Sequence, residues 1–237
     1  MIYASAPPQV RAALQVTSTI PIVFSAVADP VGSGFVASLG RPGRNVTGVA
    51  STIPEGFEGK LLELLKEAVP KAARVAVLIN PANPLRYGRS PSLPAAARSL
   101  GVTLEFVEAR TAADIEPAFQ SAVRAGADAI VVIGDPLIAA NRSRVNDLAM
   151  QYALPAIYPT REYLGTRGLM SYGVSLDDLS RRAAVYVDRI LKGARPAELP
   201  VEQPVKLELV LNRKAANDLG LTFPTSLLLR ADQILDR

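Results

Sequence analysis

Histidine, cysteine and tryptophan are all missing from this 237-residue chain. Without histidine there is no side chain that ordinarily titrates near neutrality, no imidazole metal ligand, and no Ser-His or Cys-His dyad. Without cysteine there is no disulfide framework and no thiolate nucleophile, which is compatible with an oxidising compartment but does not require one. Aromatic residues make up only 5%. No stretch reaches 18 consecutive apolar residues, so no membrane-spanning helix is expected. The first ten residues, MIYASAPPQV, lack a basic segment and a long apolar segment, so no signal peptide is expected in this chain. They read as the end of a strand, and a chain that starts in mid-strand is expected to lack its first units. Lysines and arginines number 26 against 22 acids, a net charge of +4, with no basic run of five or more. That balance reads as a mildly basic solvated surface, and no nucleic-acid partner is expected.

What is present is an ordinary globular composition, 49% hydrophobic and 20% charged. The stretch 20–51, IPIVFSAVADPVGSGFVASLGRPGRNVTGVAS, organises the first part of the chain. It has an apolar strand over 20–25, a lone acid at Asp29, a turn dense in Gly, Pro and Arg, and a second strand over 46–51. An acid directly after a buried strand lies where open α/β sheets bind ligands. Residues 2–5 form a further strand, and Pro7-Pro8 opens a helix through about Val16. Phe57, Leu61, Leu64, Leu65 and Ala68 share one face of an amphipathic helix that stops before Pro70.

A regular alternation follows. Strands are predicted over 75–79, 102–107, 129–133 and 155–158. Between them lie helices over 92–100, over a segment opened by the capping box Thr111–Asp114, and from Asp135-Pro136 through about Tyr152. Four apolar strands alternating with three helices predict a parallel sheet covered on both faces. Residues 169–173 are strand-like, and Ser175 with Asp178 opens a long amphipathic helix. Val205, Leu207, Leu209 and Leu211 alternate as a one-sided strand, and helical pieces are expected over 214–219 and 226–235. Two α/β units of this kind imply two lobes with a ligand cleft between them.

Asp29, Asn80 and Asp135 each follow a strand, so all three would sit at carboxyl ends of parallel strands. Asn80-Pro81 also suits a turn, and Asp135-Pro136 also suits a helix N-cap. Tyr158, Glu162, Tyr163 and Tyr172 cluster near two later strands, either as amphipathic surface or as an aromatic wall with an acid for a small ligand. Neither G-x-x-x-x-G-K-[ST] nor G-x-G-x-x-G occurs, no cofactor or metal motif is present, and Asp177-Asp178 suits the first turn of a helix. With no nucleophile elbow, no catalytic residue is assigned and no enzyme activity is expected.

The stretch 20–51, together with RVAVLINPANP, LPAIYPTREYLGTRGLMSYG and LPVEQPVKLELVLNRKAANDLGLTFPTSLLLRADQIL, resembles the substrate-binding components of bacterial ABC transporters with the type 1 periplasmic-binding fold. Members of that family include tryptophan- and tyrosine-class amino-acid binders. The resemblance implies a solute receptor that takes a small amino-acid-like or aromatic ligand between two α/β lobes, passes it to an inner-membrane ABC permease, and works in the periplasm. It implies lobes of residues 1–52 with 169–200, and 53–168 with 201–237, the first lobe incomplete because its N-terminal units are missing. Carried over by position, Ser5 and the turn ending in Asp29 would meet the ligand carboxylate. Asn80 and Asp135 would face them, with Tyr158 and Tyr172 walling the cleft. The strand at 2–5 would then be a bare edge open to self-association. Two alternatives are a ligand-sensing effector domain of a transcription regulator and a carboxylate-dependent racemase or lyase.

Overall fold

Prolines and glycines punctuate this chain at the points where its elements begin and end. Pro7 and Pro8 occupy the first turn of a helix that would have no use for their missing N–H groups. Gly101 closes another helix at φ +63°, a conformation that costs a residue with a Cβ. A computed structural model describes residues 1–83, 91–165, 167–203 and 206–236. Its elements open with β1 (Ile2–Ala4), α1 (Pro7–Val16), β2 (Ile22–Val27), β3 (Val46–Ala50) and α2 (Phe57–Ala68). Next come β4 (Arg74–Ile79), α3 (Ser92–Leu100), β5 (Thr103–Glu108), α4 (Ile115–Arg124) and β6 (Ala129–Val132). After them run α5 (Pro136–Ala140), α6 (Arg142–Gln151), β7 (Ala156–Tyr158), β8 (Met170–Val174) and α7 (Leu176–Leu191). The last elements are β9 (Leu207–Asn212), α8 (Arg213–Asp218), α9 (Thr225–Arg230) and β10 (Gln233–Leu235).

The chain divides into two compact units, Met1–Ile53 with Val174–Leu207, and Pro54–Gly173 with Glu208–Arg237. In the first unit β1, β2 and β3 form a parallel sheet, with Ile2 opposite Ile22 and Ile22 opposite Val46. Every residue of β3 is buried, as expected of a parallel strand covered on both faces. One core joins Val10, Ile22, Phe24, Phe35 and Val46, and a second joins Val23 and Val49 to Leu179, Ala183 and Tyr186 of α7. Gly48 lies so close to β2 that a Cβ there would stand 2.0 Å from the Phe24 carbonyl oxygen. The segment after α7 returns along β3: Thr47 Oγ1 donates to the Leu199 carbonyl at 2.7 Å and the Ala50 N–H to the Glu202 carbonyl at 2.7 Å. Arg182 of α7 is ion-paired with both Asp178 and Glu202, which ties that segment to the helix.

The second unit is built on seven strands in the order β10-β9-β8-β7-β6-β4-β5. The pairs β4·β5, β4·β6, β6·β7, β7·β8 and β9·β10 are parallel. Ile115 and Phe119 of α4, Ile138 of α5 and Val145 and Leu148 of α6 close one face of it over Ala76, Leu78, Ile130 and Val132. After β4 the chain steps outward to β5 and then returns past β4 to β6. That reversal makes the carboxyl ends of β4 and β6 a topological switch point, where open α/β sheets form a crevice.

Three expectations are corrected. The helix foreseen from 136 through about Tyr152 is two helices, because at Asn141 the side-chain amide and the backbone N–H both turn to the Leu137 carbonyl and close the first one. The last segment is not helical throughout: α9 stops at Arg230, and Asp232 exchanges bonds with the Leu209 backbone, which lays β10 beside β9. β9 is not one-sided either, since Leu209, Val210, Leu211 and Asn212 are all buried in a strand with neighbours on both edges. Val205, read as part of that strand, lies outside the described residues.

Candidate functional site

The switch point in the second unit is lined by carboxamides and one acid. Asn80 follows β4 directly, and its Nδ2 donates to Asp135 Oδ1 at 3.2 Å. Asn83 Nδ2 donates to Asp135 Oδ2 at 2.7 Å. Asp135 is also the N-cap of α5, its Oδ1 accepting the N–H groups of Leu137 at 2.8 Å and Ile138 at 3.3 Å. Cap and polar cluster are therefore one group, a carboxylate only 7% exposed and held by four neutral donors. Three of those donors fall on Oδ1 and one on Oδ2, so Oδ2 retains a lone-pair site for a further donor. Asn83 was not singled out from the sequence, although its position three residues after Asn80, in a turn closed by Asn80 Oδ1 on the Ala82 N–H at 3.0 Å, is the signal that would have found it.

Tyr158 does not line a wall. It is wholly buried in β7, its hydroxyl donates to Asn146 Oδ1 at 2.8 Å, and its ring stacks on Tyr163 at 5.7 Å. β7 runs inside the sheet and all three of its residues are buried, which leaves no open face for a ring. Burial pushes the hydroxyls of Tyr158 and Tyr163 well above the usual tyrosine range, and the Asp135 N–H lies against the Tyr163 hydroxyl. Asn146 completes the arrangement by donating from Nδ2 to the Leu164 carbonyl at 2.7 Å. Nothing in the sequence distinguishes this asparagine from a solvated helix residue. Tyr172 is partly buried and stacks on Phe57, the first residue of α2, at 5.8 Å and 17°.

In the first unit Ser5 and Asp29 are exposed at the carboxyl ends of β1 and β2, each occupied with its own turn. The Ser5 hydroxyl donates to Gln9 Oε1 at 3.0 Å. Asp29 Oδ1 accepts the Gly32 N–H at 2.7 Å, and a Cβ on Gly32 would collide with that carboxylate at 2.0 Å. The N–H groups of residues 32–36 are all taken by oxygens of Asp29, Pro30 and Val31. Thr52, just after β3, donates to the Ala28 carbonyl at 3.1 Å and accepts from Gln203 at 3.1 Å. The structure thus brings Asn80 and Asp135 together and pairs Tyr172 with Phe57, whereas Ser5 and Asp29 stay in separate turns. Among the described residues no group of three His, Cys, Asp or Glu side chains is arranged to hold a metal ion.

A model of the ABC transporter substrate binding protein family matches residues 1–235. The chain belongs to that family. Its solved relatives include a conserved domain protein from Vibrio cholerae, 31% identical with a TM-score of 0.81 over 98% of this chain and 77% of that one. Another is an ABC domain from Streptococcus pneumonia in complex with L-Trp, 27% identical with a TM-score of 0.83 over 99% of this chain and 78% of that one. Among curated proteins, the tyrosine-binding protein of Clostridioides difficile is 28% identical over 221 residues, 93% of this chain. The chain spans 63% of the length of that relative. The fold is the type 1 periplasmic-binding fold, α/β with parallel sheets, and the family is one of substrate-binding proteins. LacI-family regulators share the fold at 11% and 15% identity, a likeness of architecture alone.

Proposed function

We propose that this substrate-binding protein captures an aromatic amino acid, tyrosine or tryptophan, outside the cytoplasmic membrane and delivers it unchanged to an ABC permease. The observation that carries the ligand class is that one relative at 28% identity is a tyrosine-binding protein and another at 27% was solved with L-Trp bound. The chemistry of the second unit supports it. Asp135 Oδ2 has room for an ammonium donor, and the Phe57–Tyr172 pair offers aromatic surface on which a further ring can pack. Asn80 and Asn83 would set the direction of the carboxylate that receives the ammonium.

In this reading the ligand is enclosed between the two units as they close, with Ser5 and Asp29 contributing from the first unit. Ser5 would turn its hydroxyl from Gln9 to the ligand carboxylate. The N–H groups after Asp29 serve the turn itself, so Asp29 acts by shaping that turn more than by exposing donors. Among the described residues β1 is an edge strand of its sheet, and self-association through that edge would be detected by sedimentation or concentration-dependent sizing in solution.

Calorimetry across a panel of amino acids tests the reading. One-to-one binding with preference for tyrosine or tryptophan, and recovery of the ligand unchanged, is the expected result. No binding on the whole panel would sink it, and chemical turnover of a bound ligand would replace it with a carboxylate-dependent enzyme.

A further inference from the structure

The second unit holds a pocket of about 390 Å³ that is lined by none of the residues assigned above to the aromatic ligand. It lies between the first two turns of α6, which contribute Arg142, Asn146 and Asp147, and the segment after β7, which contributes Glu162, Tyr163 and Arg167. Its shape is built in. Asn146 and Tyr163 are each 5% exposed, and the Leu164 carbonyl accepts from Asn146 Nδ2, the Arg167 N–H and the Gly168 N–H. Gly165, at φ +50°, lines the pocket, and a Cβ on Gly168 would stand 2.6 Å from Leu164 Cα, so glycine is required for this tight turn.

The charges in the pocket are balanced but unused. Two guanidinium groups and two carboxylates share the lining, and none of these four side chains is ion-paired among the described residues. Arg142 reaches only the Ala139 carbonyl, at 3.3 Å. Glu162 Oε2 is buried and has no hydrogen-bond partner, so a donor on a bound molecule would satisfy an acceptor that the protein leaves open. An anion would meet two carboxylates here and a metal cation two guanidiniums, whereas a molecule carrying both charges satisfies both. The lining has no aliphatic side chain, which disfavours an apolar ligand, and the volume is in the range of small-molecule sites, roughly 300–1,000 Å³.

We propose that this pocket binds a second small molecule, a polar zwitterion of the α-amino-acid class, with its ammonium on Glu162 and Asp147 and its carboxylate between Arg142 and Arg167. The site is independent of the aromatic-ligand reading. Titration of the whole chain with L-glutamine, alone and with saturating L-tyrosine, tests it by calorimetry. L-glutamine should bind whether or not L-tyrosine is present, and Glu162→Gln and Arg142→Gln should each weaken it by about tenfold or more. Arg142 is exposed, so its variant keeps the test valid if Glu162→Gln folds poorly. Absence of L-glutamine binding, equal affinity in both variants, or competition with L-tyrosine would each overturn the proposal. L-glutamine binding with this dependence in a chain that ignores L-tyrosine would leave the pocket standing and remove the aromatic-ligand reading.

Discussion

At Asp135 an observed helix cap and a proposed ligand contact meet, and one substitution can pull them apart. It caps α5 through Oδ1, and in the proposed reading its Oδ2 receives the ligand ammonium, so Asp135→Asn keeps an oxygen for the cap and loses the charge. Affinity for L-tyrosine or L-tryptophan should fall by about 2 kcal/mol or more, the scale of a buried charge pair broken on one side. Calorimetry that returns an unchanged affinity would leave Asp135 as a helix cap. Tyr158→Phe addresses the core instead: Asn146 Oδ1 loses its donor while buried, which should cost about 1–3 kcal/mol in urea unfolding. Because burial raises the Tyr158 pKa in the folded state, its contribution is fully present below the ordinary tyrosine value of 10.0 and is lost as pH rises above it. Stability of the parent should therefore decline above about pH 10 more steeply than that of Tyr158→Phe, and equal slopes would refute this. The placement of Asn80 and Asp135 after strands was legible in the sequence because strand ends are marked by polar residues after apolar runs. Tyr158 was misread because, in a strand covered on both faces, alternation does not tell an inward ring from an open one.

Elements were legible where local chemistry and periodicity agreed. The Thr111–Asp114 capping box, the glycine closing α3 and the apolar stripe of α2 all appear in the structure at the residues that signal them. The errors fell where a side chain or a distant strand decides the outcome: Asn141 divides a helix, and pairing with β9 draws residues 233–235 into a strand that no local pattern announces. Gly173 of β8 is a similar case, since its need for glycine comes from a neighbour distant in sequence. A Cβ there would stand 1.7 Å from the Pro159 carbonyl oxygen and 3.7 Å from the Phe57 ring. Gly173→Ala should force β8 away from the end of β7 and destabilise the second unit by about 1–3 kcal/mol, as overpacking does elsewhere. Chemical denaturation reads the loss, and a variant as stable as the parent would show that this close approach is not obligatory.

At the scale of the whole molecule, the chain passes between its two units three times, at residues 53–54, 173–174 and 207–208. Each unit has its own sheet and its own buried clusters, so each has the means to unfold as a cooperative body. Binding stabilises whatever the ligand contacts, by about 2.7 kcal/mol at a hundred times Kd. If the aromatic amino acid is enclosed by Ser5 and the Asp29 turn on one side and Asp135 with Tyr172 on the other, saturation with L-tyrosine must protect both units. Amide hydrogen exchange resolves this, because slowing would appear in β2 and β3 as well as in β4 and β6. Protection confined to the second unit would mean that the ligand is held by that unit alone and that Ser5 and Asp29 serve their own turns only. Protection in neither would remove L-tyrosine as a ligand.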